Sequence, residues 1–214
     1  MPYSKLNQLT LYTAFMTFIA CSVSYLFIDQ PLASMTYYSL PKTYLYSIAN
    51  FIGKISEPNL WAGLFLIFAV ISSVCFIRHR HNKKLYIITL SLFIAILVAT
   101  LLKYTLARYR PILFLEQNLY DFHGFSMKNS FNSFPSGHAT LAFAGLLGFS
   151  NIFNRKSLTI TLIIIACIIA ISRIIMAQHY LSDVIAGSYI GIFAYLWAQA
   201  VIAQKLSTPW WLKK

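Results

Sequence analysis

The chain has 214 residues, 58% of them hydrophobic and 10% charged, and its mean hydropathy is +0.66. Soluble domains carry about 25% charged residues, so too little polar surface is present to cover a water-soluble globule, and the chain belongs in a bilayer. The net charge of +12 is divided among short loops between apolar runs, the pattern of a membrane protein and not of a nucleic-acid binder.

The first apolar run covers 9–28. Lys5 before it and Phe18-Ile19-Ala20-Cys21 within it have features of a secretory or lipoprotein signal. The run continues through Val23-Ser24-Tyr25-Leu26-Phe27-Ile28, and about 20 residues is the length of a spanning helix. It is expected to be an uncleaved first span. Residues 29–59 hold Pro31, Pro41 and Pro58 among aromatic and small residues and are expected to form short interfacial helices.

Five further apolar segments lie at 60–77, 85–102, 137–153, 157–173 and 184–204. In a bilayer each must be a helix, because its backbone has no water to bond. Residues 111–135 are polar and are expected to be an ordered loop or lid, with His123 and Lys128 as plain loop residues. Trp210-Trp211 before Lys213-Lys214 fits an interfacial anchor. Cys21, Cys75 and Cys167 lie far apart inside apolar runs, without metal or disulfide spacing, and are expected to be small buried hydrophobes. The expected fold is all-α: one domain, 1–214, an integral membrane bundle of six transmembrane helices with short interfacial helices.

Lys and Arg accumulate on cytoplasmic loops. With the N-terminus inside, ten fall on the inner side: Lys5, Arg78, Arg80, Lys83, Lys84, Arg155, Lys156, Lys205, Lys213 and Lys214. Seven fall outside: Lys42, Lys54, Lys103, Arg108, Arg110, Lys128 and Arg173. All five acids, Asp29, Glu57, Glu116, Asp121 and Asp183, are outside as well. The bias predicts an N-in, C-in topology.

Polar groups beside the spans concentrate at three places, all on the outer face. A charge at mid-bilayer costs about 2.5–3.5 kcal/mol on insertion scales, so each demands a reason. The first place is Lys103-Tyr-Thr-Leu-Ala-Arg108-Tyr-Arg110-Pro111. Lys103 and Arg110 are seven apart, close to two helical turns, so both can point to one side and receive an anion. Snorkelling at a helix end accounts for the same pattern. The second is Phe134-Pro135-Ser136-Gly137-His138. Ser136 fits an N-cap, Gly137 allows close approach to the backbone, and unpaired N–H groups at a helix start cradle a phosphate. His138 would stand beside it as a proton donor; an ordinary helix start with an interfacial His fits equally.

The third place runs from Ser172-Arg173 to His179 and Asp183. The last two are i, i+4 and meet at the start of the final span, where a carboxylate can hold one ring nitrogen and leave the other free to attack. A buried His–Asp pair that only braces a helix junction has the same spacing. Together the three places supply the parts that phosphoryl transfer requires: cations for the phosphate oxygens, a nucleophile and an acid for the leaving oxygen. Neither a dense carboxylate cluster nor a Cys/His zinc set accompanies them, so charge neutralisation falls to Lys103, Arg110 and Arg173, and neither metal nor other cofactor is expected.

These residues resemble the signature of the type-2 phosphatidic acid phosphatase superfamily, which includes the lipid phosphate phosphatases: Lys-x6-Arg-Pro, Pro-Ser-Gly-His and Ser-Arg-x5-His-x3-Asp. The resemblance implies that His179 attacks phosphorus and forms a phosphohistidine, and that Asp183 orients it. His138 protonates the leaving oxygen and then activates water, while Lys103, Arg110, Ser136, the Gly137 N–H and Arg173 hold the phosphate, without a metal. Soluble vanadate-dependent haloperoxidases share such a pocket, but the composition argues against that branch. The implied substrate is a membrane lipid phosphate on the outer leaflet of a bacterial cytoplasmic membrane: undecaprenyl pyrophosphate, phosphatidylglycerophosphate, phosphatidic acid or a lipid A phosphate. A lipid-to-lipid phosphotransferase would share every site residue, and a non-catalytic binder or transporter of anionic lipids would use the same cations.

Overall fold

The computed structural model describes residues 3–41 and 43–205, with Lys205 described by its backbone alone. Lys42, the Trp210-Trp211 anchor and the terminal lysines of the charge count lie outside the described residues.

Helix α1 (Tyr3–Val23) passes through a π-helical turn (Ser24–Ile28) straight into α2 (Asp29–Ser39). Short helices are therefore present in 29–59 as expected, but α2 is the continuation of the first span. Thr43 starts α3 (Tyr44–Ile55) by accepting a hydrogen bond from Tyr46 N at 3.2 Å. Pro58 opens α4 (Pro58–Ile77), where its missing N–H costs nothing. Asn82 caps α5 (Lys83–Leu106), its Oδ1 accepting from Lys84 N at 3.1 Å and Leu85 N at 3.3 Å. Helix α6 (Pro111–Gln117) lies in the polar loop. Helices α7 (Gly137–Phe153), α8 (Lys156–Ile175) and α9 (Leu181–Lys205) complete the bundle.

Among the described residues, five helical runs are long and apolar enough to cross a membrane: Tyr3–Ser39, Tyr44–Ile77, Lys83–Leu106, Lys156–Ile175 and Leu181–Gln204. The sixth expected span, 137–153, forms α7, which has 17 residues and is not among them. It is the central helix of the bundle. One face packs Ala139, Ala142 and Phe143 against Ala166, Ile169 and Ala170 of α8 and Val184 of α9. The other packs Leu141 and Ala144 against Ile88, Leu92 and Ala95 of α5 and Ala194 of α9. Large apolar side chains that remain exposed, such as Leu11, Phe18 and Phe27 on the first run and Leu66 and Ile77 on α4, suit contact with lipid.

Small residues let α7 and α9 approach closely. A Cβ at Gly187 would stand 2.6 Å from Ser136 O, and one at Gly191 would stand 2.4 Å from Thr140 O. The spacing Gly187-x3-Gly191 is the small-residue interface that membrane helices use where backbones touch. At one end of the bundle Lys84 Nζ donates to Ile152 O at 2.7 Å, so the basic turns after α4 and α7 share a side. The three motif segments gather at the opposite end.

Candidate active site

The chain between α5 and α7 is ordered by backbone pairing. Ala107 ends α5 in the left-handed region (φ 42°), its N–H on Lys103 O at 3.0 Å, and the chain turns away. The loop then folds back. His123 N donates to Ala107 O (3.0 Å), Ser126 N to Tyr104 O (3.0 Å), Arg110 N to Ser130 O (3.0 Å) and Ser133 N to Arg108 O (3.0 Å). Lys103 and Arg110 therefore do not share a helix face. Lys103 is the last basic residue of α5, whereas Arg110 is extended backbone before α6, and the turn at Ala107 brings it round. His123 pairs with Tyr109 OH at 3.0 Å and Lys128 lies over Phe131, so both act within the loop.

A cavity of about 680 Å³ opens among these elements. Lys103, Arg110, Gly137, His138, Arg173 and His179 all line it. Lys103 Nζ donates to Asn132 O (2.9 Å) and Pro135 O (2.7 Å), which ties it to the start of α7. Arg110 is braced by Asn129, through Nε on its carbonyl and Nη2 on Oδ1, each at 2.9 Å. Arg173 donates to Ala49 O (2.9 Å), Gln178 Oε1 (3.1 Å) and Ser172 Oγ (3.1 Å), with Gly53 against its guanidinium. Two helices and a loop, α5, α8 and the segment before α6, thus aim three cations into one space. The wall formed by Ala62, Ile96, Ala99 and Leu141 is apolar, and that formed by Asn50, Lys54, Glu57 and Asn59 is polar. A second cavity of about 590 Å³ shares Arg110, Met176 and Gln178 with the first.

Ser136 and Asp183 stand behind the lining. Ser136 occupies the N-cap position of α7, but its side chain makes no capping bond. Its Oγ is buried without a hydrogen-bond partner among the described residues, while its N–H reaches Asp183 O at 3.0 Å. His179 is held just before α9 by the turn that closes α8, where its N–H and that of Gln178 both point at Arg173 O. Its Nδ1 faces Asp183 Oδ2 at 3.6 Å, too long for a hydrogen bond. Burial pushes the imidazole down to about 4; the Asp183 carboxylate opposes this shift, and the Arg110 and Lys103 charges add to it. His179 is therefore neutral at physiological pH, the form with a free lone pair.

Asp183 is fully buried and accepts from Ser133 Oγ (2.6 Å), Tyr180 N (2.9 Å) and Arg108 Nη1 (2.6 Å). Its bond to Tyr180 N is that of a capping box, in which an acid in the first turn reaches back to the N-cap amide. Arg108, counted from sequence as one more outer cation, is fully buried. It bonds Asp183 and, through Nη2, Asp29 Oδ2 at 2.9 Å, and its guanidinium carbon lies 4.2 Å from the Tyr180 ring centroid and 5.0 Å from that of Tyr25. Burial works against the Arg108 charge, but the Asp183 and Asp29 carboxylates outweigh it and raise its pKa above the ordinary guanidinium value. Asp29 and Arg108 were not singled out from sequence as site residues. Their one signal was position, an acid and a base each adjoining an apolar run.

Among the described residues no three His, Cys, Asp or Glu side chains cluster as a metal site would require. A helical membrane bundle with three cations, two histidines and a buried carboxylate at one end is the arrangement anticipated from the three motifs. The chain belongs to the PAP2 superfamily, whose family model matches residues 84–206, more than half of the chain. Among its relatives, a lipid A 1-phosphatase of Rhizobium johnstonii is 37% identical over 110 residues, which are 50% of this chain and 43% of that protein. A lipid A 1-phosphatase of Rhizobium etli is 35% identical over 122 residues, 54% of this chain and 51% of that protein. The matched segments thus span about half the length of these relatives. The fold is similar to the crystal structure of a transmembrane PAP2-type phosphatidylglycerolphosphate phosphatase from Bacillus subtilis, with a TM-score of 0.62, 19% identity, and coverage of 93% of this chain and 99% of that one.

Proposed function

We propose that the protein is a membrane lipid phosphatase that works through a phosphohistidine at His179, without a metal. The observation that carries this is the convergence of Lys103, Arg110 and Arg173 with His138 and His179 on one cavity. The three cations neutralise the phosphate oxygens, helped by the Gly137 N–H and the Ser136 hydroxyl. The Nε2 lone pair of His179 forms the bond to phosphorus while the bond to the leaving lipid oxygen breaks, and His138 gives that oxygen its proton. Asp183 supports the positive ring that results. Water then attacks phosphorus, gives a proton to His138, and the P–N bond breaks. The names of the two Rhizobium relatives and of the Bacillus structure support the assignment. With α7 counted as a sixth span, both basic turns fall on one side, which supports an N-in, C-in chain with its site on the outer face of a bacterial cytoplasmic membrane.

The polar wall bears on the substrate. Phosphatidic acid and a lipid pyrophosphate offer little beyond phosphate at the headgroup, and Glu57 would find nothing to accept from them. A hydroxylated headgroup gives Glu57, Asn50 and Asn59 partners, which favours the sugar of a lipid A 1-phosphate or the glycerol of phosphatidylglycerophosphate. The test is inorganic phosphate release by detergent-purified protein in EDTA across the four lipid classes. Release is expected, fastest with the hydroxylated headgroups. Binding without turnover on the whole panel would identify a lipid binder, and appearance of the phosphate on a second lipid would identify a phosphotransferase.

Gly53 offers an independent check. A Cβ there would lie 1.8 Å from Arg173 Nη2, and the side-chain end can swing away, so Gly53→Ala displaces the cation and spares the fold. We expect kcat/KM to fall by roughly 10- to 100-fold, the scale of an ångström misplacement at a reacting centre. Thermal unfolding in detergent should be unchanged.

A further inference from the structure

Asp29 belongs to α2, outside the segment that matches the family, yet it is completely enclosed at the back of the site. Its Oδ1 accepts from Ser182 N at 3.1 Å and from Ser24 Oγ at 2.7 Å. Its Oδ2 accepts from Ser182 Oγ and from Arg108 Nη2. One carboxylate from the first helical run thus caps a first-turn amide of α9 and shares a guanidinium with Asp183.

The shared guanidinium sets a charge balance. Arg108 stands between two carboxylates, so the buried triad carries one net negative charge. With Arg108 and Asp183 alone the pair would be neutral, and the carboxylate facing His179 would be spent on its own partner. With Asp29 present, half of the Arg108 charge is engaged elsewhere. The triad is then matched to a positive ring at His179. That ring exists only while Nε2 is bonded to phosphorus with the proton kept on Nδ1, the nitrogen that faces Asp183 at 3.6 Å. Buried charges cannot be offset by solvent, so the matching has to come from the protein.

We propose that Asp29 is a positioning residue for phosphoryl transfer: it holds Arg108 and the first turn of α9, and supplies the negative charge that stabilises the phosphohistidine. The proposal rests on the phosphatase assignment. Wild-type phosphate release that is lost in His179→Ala is therefore the first control, and its absence would overturn the assignment itself. The test compares Asp29→Asn with Asp29→Glu and wild type in detergent, reading kcat, KM, the phosphoenzyme trapped by rapid quench and the thermal midpoint. Asparagine can still accept from Ser182 but carries no charge. Asp29→Asn is expected to lower kcat and the trapped phosphoenzyme by about tenfold, the effect of one charge removed from a buried cluster, with KM and the midpoint near wild type. Asp29→Glu is expected to recover part of both. Wild-type kcat and phosphoenzyme in Asp29→Asn would overturn the proposal. So would equal losses in both variants that follow their thermal midpoints, since that would make Asp29 a brace alone.

Discussion

Replacing His179 with alanine is expected to lower lipid phosphate hydrolysis by roughly four orders of magnitude or more, with the thermal midpoint in detergent maintained. Removal of a nucleophile commonly has this scale. The side chain is tied down by no hydrogen bond of its own at Nδ1, so its loss leaves the Asp183 network in place. The same residue governs pH dependence. Its pKa is about 4 in the folded chain and 6.5 in an ordinary imidazole, so the nucleophile stays neutral far into the acid range. The acid limb of kcat/KM should fall well below pH 6.5. The sign for stability follows. Between pH 6.5 and 4 the unfolded chain binds a proton that the folded site refuses, so the His179 contribution is intact above 6.5 and declines as pH falls toward 4. Unchanged turnover in the alanine variant would remove His179 from the mechanism.

Arg108→Met is expected to have the largest effect on the fold. Asp29 and Asp183 both lose a partner at once, and both are fully buried. Breaking a buried pair by removing one member costs about 3–5 kcal/mol, because a charge remains uncompensated. The thermal midpoint in detergent should drop sharply. Adding Asp29→Asn should restore part of it, since one of the stranded charges is then gone, while activity stays low. Arg108→Lys should rescue poorly, because an ammonium cannot span two carboxylates as the planar fork does. A midpoint that Arg108→Met leaves unchanged would show that the triad carries no stability.

The contrast between these residues shows what could be read from sequence. His138, His179 and the three cations were legible because polar side chains beside apolar runs need a reason to be there, and their spacing is local. The apolar segments were legible for the same reason, since backbone satisfaction in lipid leaves only helices; the helix ends of the later five fall within a few residues of the apolar limits, whereas the first helical run extends from Tyr3 to Ser39, beyond both limits of 9–28. Arg108 and Asp29 were hidden. Nothing nearby pairs them: 79 positions separate Asp29 from Arg108, and 75 separate Arg108 from Asp183. A basic residue in an outer loop looks the same whether it faces water or a buried carboxylate. The route of Arg110 to the cavity was hidden too, because it depends on Ala107 adopting a left-handed conformation that sequence favours for glycine. Length alone also could not separate a lipid-facing span from α7, whose apolar faces are satisfied by protein.

The apolar wall of Ala62, Ile96, Ala99 and Leu141 has a consequence for how the site meets its substrate. It joins α4, α5 and α7, so the acyl end of a bound lipid can remain in the leaflet while the headgroup enters the polar end of the cavity. For a lipid phosphate substrate, encounter would then be a search in two dimensions, and the effective concentration would be the surface density of that lipid around the protein. Dilution with inert lipid or detergent lowers that density even when the bulk amount of substrate is held constant. Turnover in a native membrane would accordingly follow the composition of one leaflet.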